Sequence, residues 1–389
     1  MKIVHIITRM ILGGAMENTL LTCEGLKARG HEVILITGPA LGPEGELMTR
    51  ALAGGYQVEV LDDLRREIAP RHDLRAYRRL VALLAHYRPD VVHTHSSKAG
   101  ILGRQAAWKV RQSVQGCERM LIVHTIHGLP FHRFGTAAAN FLYVHLERHA
   151  ARQSDALISV ADAMTRQAMA AGVGEPGQYR TIYSGMDVGL YSRRPEGVTE
   201  FRSSLGLKDG DVLVTQVSRL AELKGHEFIL QAAATMPDEH VHFCFVGDGN
   251  LRGLIESQIV QSGLSNRVHL TGLLPPERIP LVLHATDILV HCSQREGLAR
   301  ALPQAMLAGK PVVSFDIDGA SEVVNADTGI LLPSGDVDGL CEALRKLAGS
   351  AELRANLGQA GRQLATRRFD HNVMVDEIEA VYEKPGRRS

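Results

Sequence analysis

Short runs dominated by Val, Ile and Leu recur along the chain with little polar alternation. That is the pattern of strands buried on both faces of a parallel sheet. In the first half they fall at residues 2–7, 31–37, 57–61, 90–95, 120–126, 156–160 and 180–182, and in the second at 212–217, 242–246, 268–271, 288–292, 312–315 and 329–332. Helical spacing separates most of them, which predicts parallel strands joined by right-handed crossovers. Two such series imply an α/β protein of two parallel-sheet domains, with a cleft expected near their strand ends. The expected division is residues 1–185, 186–365 and 366–389, the last a helix packing back on the first domain and then a tail. The Gly-, Ser- and Pro-containing stretch 183–198 has no sustained period and reads as the linker. Two amphipathic helical patterns follow residue 350, and the tail EKPGRRS reads as disordered.

The chain opens with a strand, the Gly13-Gly14 turn, a helix over 17–29 closed by Gly30, and a second strand. The spacing G-x-G-x-x-G is absent and no acidic residue closes the second strand, so this is not the dinucleotide fingerprint. Gly13 and Gly14 instead let backbone approach a ligand. A second loop of interest lies within 286–324. A strand ends near Cys292, Glu296 and Gly297 sit in a loop, and Ala301, Leu302, Ala305, Met306 and Ala308 recur at helical spacing. Pro303 belongs in a first helical turn, so the helix starts near Arg300, and Gly309 stands where a left-handed cap would end it. Its unsatisfied N–H groups would face a loop at the carboxyl end of a strand, a place suited to an anion.

With 43 basic and 43 acidic residues in 389, overall charge gives no reason to expect nucleic acid. Five scattered cysteines without a C-x-x-C pair point to a reducing, cytoplasmic setting. His5 and Arg9 interrupt the apolar start, which reads as a strand rather than a leader. No apolar run approaches a membrane span. Between residues 62 and 88 lie Arg65, Arg66, Arg71, Arg75, Arg78, Arg79 and Arg88, enough for a peripheral contact with anionic headgroups, although a solvated helix face is the commoner meaning of such a run. The helix over 137–150, with Phe141, Leu142, Tyr143 and Leu146, reads as core or as the wall of an acceptor channel.

Arg219 and Lys224 lie between a strand and a helix start. Two cations there suit a diphosphate, the guanidinium binding two oxygens and the ammonium adding a point charge; solvated surface charges are the plain alternative. His124 and His127, three apart on a strand, point to opposite faces, which argues against a metal site completed by His132. His93 and His95 share a face, where a strand-end hydrogen bond is the simpler reading. Asp316 and Asp318 form a D-x-D, a pattern that can chelate a divalent ion, but the cationic pair already supplies charge for a diphosphate. No metal and no cofactor are expected.

The segment SRLAELKG, followed by EGLARALPQAMLAGKPVVSFDIDGASEVV, resembles the carboxyl domain of the retaining family-four glycosyltransferases. GGAMENTLLTCEGLKARGHEV, DVVHTHSSKAG and TIHG resemble the amino domain of the same family, so the likeness covers nearly the whole chain. It implies a GT-B fold of two Rossmann-like domains and transfer of a sugar from a nucleotide diphosphate, a UDP-sugar by expectation. The acceptor would be a saccharide or a lipid-linked saccharide in polysaccharide or glycolipid synthesis. Residue by residue, Arg219 and Lys224 match the diphosphate-holding positions. Glu296 matches the first glutamate of E-x7-E, with backbone N–H groups of Gly297, Leu298 and Ala299 beside the donor, a loop ion pair being its plain alternative. His127 matches the histidine that meets the donor sugar, and Glu322 a recurrent glutamate. The second glutamate, a ribose ligand in the family, falls at Gln304, which predicts a weakened or re-aimed ribose contact unless the residue simply faces water. A nucleotide-sugar epimerase, a phosphorylase or a non-catalytic nucleotide-sugar binder are the alternatives.

Overall fold

The computed structural model describes residues 1–40 and 46–383, so most of the predicted tail lies outside the described residues. All of its named strands are parallel and fall in two sheets. The first holds β1 (Lys2–Ile7), β2 (Glu32–Thr37), β3 (Gln57–Val60), β4 (Val91–His95), β5 (Leu121–Ile126), β6 (Ala156–Ser159) and β7 (Tyr179–Thr181), in the order β3-β2-β1-β4-β5-β6-β7. The second holds β8 (Val212–Val217), β9 (Val241–Val246), β10 (Val268–Gly272), β11 (Ile288–His291), β12 (Val312–Phe315) and β13 (Gly329–Leu332), in the order β10-β9-β8-β11-β12-β13. In each, the strand order reverses beside the first strand, and ligands of open parallel sheets bind at the carboxyl ends next to such a reversal.

Two compact units result: residues 1–185 together with the chain from His371 onward, and Met186–Asp370. In the first, every residue of β5 is buried, so its apolar run has no solvent face. The helix Gly14–Ala28 starts three residues before Glu17, where the sequence placed its beginning. Its buried Thr19 and Thr22 hydroxyls donate to the carbonyls of Ala15 and Asn18, and the Asn18 amide donates to Ser184 at 2.9 Å. The helix His371–Tyr382 packs on it closely: a Cβ added to Gly25 would stand 2.8 Å from Val375.

In the second unit the helix Ala301–Leu307 begins after Arg300. It closes with Gly309 at φ +74°, Gly309 N–H on Met306 C=O and Lys310 N–H on Ala305 C=O. That paired arrangement satisfies the last carbonyls and requires the left-handed residue that glycine adopts without strain.

Two expectations fail. The stretch taken as a linker carries the helix Val188–Ser192, with Tyr191 buried, and from Met186 onward it belongs to the second unit. The helix Ala137–Arg152, read as core or as the wall of an acceptor channel, leaves Phe141 and Leu142 67% and 49% exposed, which overturns only the core half of that reading. Its buried face is Glu147, Ala150 and Ala151, because Glu147 pairs at 2.6 Å with the fully buried Arg104 of the helix Ser97–Ser113. An ion pair that draws a carboxylate inward turns the neighbouring aromatic outward. All five cysteines are buried thiols. No helix among the described residues is long and apolar enough to cross a membrane.

Burial pushes the Lys310 ammonium down to about 8 from its ordinary 10.5, while its Nζ donates to the His284 carbonyl at 2.9 Å. Between those two values the unfolded chain holds a proton that the native chain has released, so this group makes stability rise with pH. The stability difference between the wild type and Lys310→Met, followed by urea unfolding, should therefore shift in favour of the wild type from pH 8 to 10.5. It should stay flat from pH 6 to 7.

Candidate functional site

At the carboxyl end of the second sheet, two loops pass almost in contact. The loop after β8 carries Arg219 and Lys224, and the loop after β11 carries Glu296. Gln216 joins them: its amide nitrogen donates to Lys224 C=O at 2.9 Å and its oxygen accepts from Cys292 N–H at 3.4 Å. Gln294 N–H donates to Leu223 C=O at 2.8 Å. Gly225, at φ +75°, lies against the Cys292 carbonyl, where any Cβ would sit at 1.9 Å. Leu223 accepts a left-handed φ of 64°, which costs a non-glycine residue about 1–2 kcal/mol. Such strain persists only where surrounding bonds impose it, and here they place Lys224.

Lys224 Nζ stands 2.5 Å from Glu296 Oε1, and both side chains are partly buried. His291 Nε2 lies 3.5 Å from the same oxygen, at the outer limit of a hydrogen bond. Burial by itself would raise the Glu296 carboxyl, but the Lys224 ammonium and the nearby His291 outweigh it and hold the group well below the usual carboxylate range. The Glu296 N–H donates to Asp318 Oδ2 at 2.7 Å, and Asp318 itself adopts φ +47°. The second acid of the D-x-D thus supports the Glu296 loop. Arg219 is exposed. Leu298 and Ala299 are buried and Gly297 is partly so, immediately before the 301–307 helix. Glu322 lies in the first turn of the helix Ala320–Val323.

Gln304 is not turned to water. It is 7% exposed, and its amide nitrogen donates to the buried Tyr191 hydroxyl at 2.8 Å. Tyr191 comes from the stretch misread as linker, which is why its pairing was not foreseen.

In the first unit, Gly13 and Gly14 are exposed at the start of the 14–28 helix. His127, just after β5, is partly exposed, and its Nε2 lies 3.1 Å from His95 Nδ1. His95 Nε2 lies 3.0 Å from His5 Nδ1. The His93 ring lies against His95 at a tilt of 32° with centroids 4.3 Å apart, its two nitrogens at 2.5 Å from the Tyr382 hydroxyl and 2.7 Å from Thr125 Oγ1. His93 and His95 share a face as expected. His124 lies on the opposite one, bonded to Thr94 Oγ1 at 2.9 Å and packed on Gly100. Burial lowers His93, His95 and His124 well below the ordinary imidazole range and takes His5 to about 3, so all four rings are neutral at physiological pH.

His5 was missed in the sequence. The signal for it is register, since in the parallel β1–β4 pair His5 stands directly opposite His93. Among the described residues, ring nitrogens of His5, His93 and His95 gather within 4.8 Å of one another. However, His93 already engages both of its nitrogens with Tyr382 and Thr125.

Residues 13–185 match the family described as Glycosyl transferase 4-like domain, and residues 197–364 match Glycosyl transferases group 1. The chain is 27% identical over 387 residues to an Escherichia coli UDP-Gal:alpha-D-GlcNAc-diphosphoundecaprenol alpha-1,3-galactosyltransferase, covering 98% of this chain and 96% of that one. It is 33% identical over 195 residues to the 2-deoxystreptamine glucosyltransferase of Streptomyces kanamyceticus, covering 49% and 50%. Its fold matches that of Anabaena HepE, solved with UDP and glucose, at a TM-score of 0.84 and 24% identity over 99% of this chain and 100% of that one.

Removing the Tyr191 hydroxyl leaves the Gln304 amide buried without its partner. Tyr191→Phe should lower unfolding free energy by about 1–3 kcal/mol, read from urea titration. An unchanged midpoint would mean that the pair contributes nothing to the second unit.

Proposed function

We propose, for a chain that belongs to the group 1 glycosyltransferases of the family-four type, that it moves a sugar from a UDP-sugar to a hydroxyl acceptor with retention at the anomeric carbon and without a metal ion. The observation that carries this reading is the Lys224–Glu296 pair, held at 2.5 Å beside the exposed Arg219 at the carboxyl end of β8. Arg219 and Lys224 take the donor diphosphate and stabilise the charge that grows on the departing phosphate oxygen. Glu296, kept ionised, accepts from hydroxyls of the donor sugar, with backbone N–H groups of Gly297, Leu298 and Ala299 alongside. Gln304 meets the ribose through its amide, oriented by Tyr191. In the first unit, His127 is assigned a hydrogen bond to a sugar hydroxyl, and Gly13 and Gly14 a close backbone approach to a ligand.

The acceptor hydroxyl attacks from the face that the phosphate leaves. The O–H bond breaks as the new C–O bond forms, and the departing phosphate takes the proton, so no side chain need act as a nucleophile. We assign the acceptor to the saccharides or lipid-linked saccharides. The name of the Escherichia coli relative, whose acceptor is a diphosphoundecaprenol-linked sugar, supports the lipid-linked class. So does the helix Pro70–Tyr87, whose Arg71, Arg75, Arg78 and Arg79 are exposed and suit anionic headgroups.

Lys224→Met should lower kcat by at least about a hundredfold in a variant that still folds, while loss of the ammonium beside the part-buried Glu296 lowers its thermal stability. Near-normal turnover by a folded variant would sink the assignment. Gln304→Glu tests the ribose contact separately. A carboxylate accepts more strongly than an amide, so the donor KM should fall, by about threefold to tenfold. An unchanged KM would mean that position 304 does not meet the donor.

A further inference from the structure

Three imidazoles run in a line through the first sheet: His5 at β1, His95 at the end of β4, and His127 just beyond β5. Each link is a nitrogen-to-nitrogen contact, 3.0 Å from His5 Nδ1 to His95 Nε2 and 3.1 Å from His95 Nδ1 to His127 Nε2. A neutral imidazole has one donor and one acceptor, so His95 must donate at one link and accept at the other. The tautomers of the three rings are therefore set together, and only two arrangements exist.

In one arrangement the His127 proton is on Nε2, which makes His5 carry its own on Nε2. That atom is buried with no hydrogen-bond partner. A buried N–H without an acceptor is rarer and more costly than an acceptor left bare. The other arrangement places the His5 proton on Nδ1, donates it to His95 Nε2, and donates the His95 Nδ1 proton to His127 Nε2. His127 then holds its own proton on Nδ1. His93 cannot disturb the order, because Tyr382 and Thr125 engage both of its nitrogens.

We propose that His95, backed by His5, is a positioning residue that fixes His127 as the neutral Nδ1–H tautomer, so that His127 offers a donor to a sugar oxygen. The use of that donor rests on the transferase reading above; the tautomer does not. The same three rings could be taken for a metal site, since His5, His93 and His95 gather closely. The prior engagement of His93 favours the hydrogen-bonded line.

The test has a spectroscopic arm and a kinetic arm. In protein labelled with 15N-histidine, with His127→Ala to assign the resonance, His127 should appear as the Nδ1–H tautomer at neutral pH without any substrate. In an asparagine at position 95 the amide reaches the place of the imidazole Nδ1, and in a glutamine the place of Nε2. His95→Asn should therefore keep the His127 tautomer, and kcat should stay within about threefold of wild type. His95→Gln should release it toward the Nε2–H form, and kcat should fall by about tenfold or more while donor KM changes less than about twofold. Wild-type His127 found as Nε2–H or as a mixture overturns the proposal, as do equal effects of the two variants. One equivalent of zinc held by wild type and lost in His5→Ala overturns it too. If neither variant folds, the wild-type spectrum alone decides. If wild type proves inactive with every UDP-sugar, it is the transferase reading that has failed, and the spectrum still judges the tautomer.

Discussion

The closeness of the loops after β8 and β11 governs the second unit's site. Gly225 can lie on the Cys292 carbonyl only because it lacks a Cβ, and Gln216 fastens the two strands' ends by donating to one loop and accepting from the other. Once the loops are that near, Lys224 and Glu296 have little choice but to meet, and the strained backbone of Leu223 is carried by the same bonds. Asp318 extends the arrangement to β12 by holding the Glu296 N–H. A carboxylate in this setting stays ionised because the ammonium opposes the effect of burial, and it is presented at a fixed place.

The two units solve a similar problem with different chemistry. In the second, opposite charges are brought together at partly buried positions. In the first, His5, His93 and His95, which burial keeps neutral, and the hydroxyls of Thr125 and Tyr382 hydrogen-bond one another without any formal charge. Burying neutral rings costs far less than burying ions, provided their nitrogens are paired. The one unpaired buried nitrogen of His5 is then informative rather than incidental.

The strands were legible because a parallel strand covered on both faces is apolar throughout, and β1, β5 and β12 leave little ambiguity. The helix end at Gly309 was legible for a local reason, since a left-handed cap calls for glycine. Lys224 and Glu296 could be named from motifs, but nothing local says that residues so far apart in sequence form a pair. What escaped was decided by neighbours distant in the chain. Tyr191 looked like linker because its partner is Gln304, Phe141 looked like core because the Arg104–Glu147 pair is invisible along the chain, and His5 looked like an interruption in an apolar strand. In each case a polar atom found its partner across a fold that periodicity does not report.

The return of the last helix to the first unit has a consequence for the order in which the molecule is made. Residues 186–370 form an uninterrupted unit, and their core can close as soon as they have been synthesised. The first unit lacks Met374, Val375, Ile378 and the Tyr382 hydroxyl that holds His93 until the helix His371–Tyr382 has been added. Although its sheet is translated first, its core is completed last. Until then the face of the 14–28 helix that will receive Val375 remains uncovered on the growing chain, so the half that begins synthesis stays longer in need of protection from its neighbours.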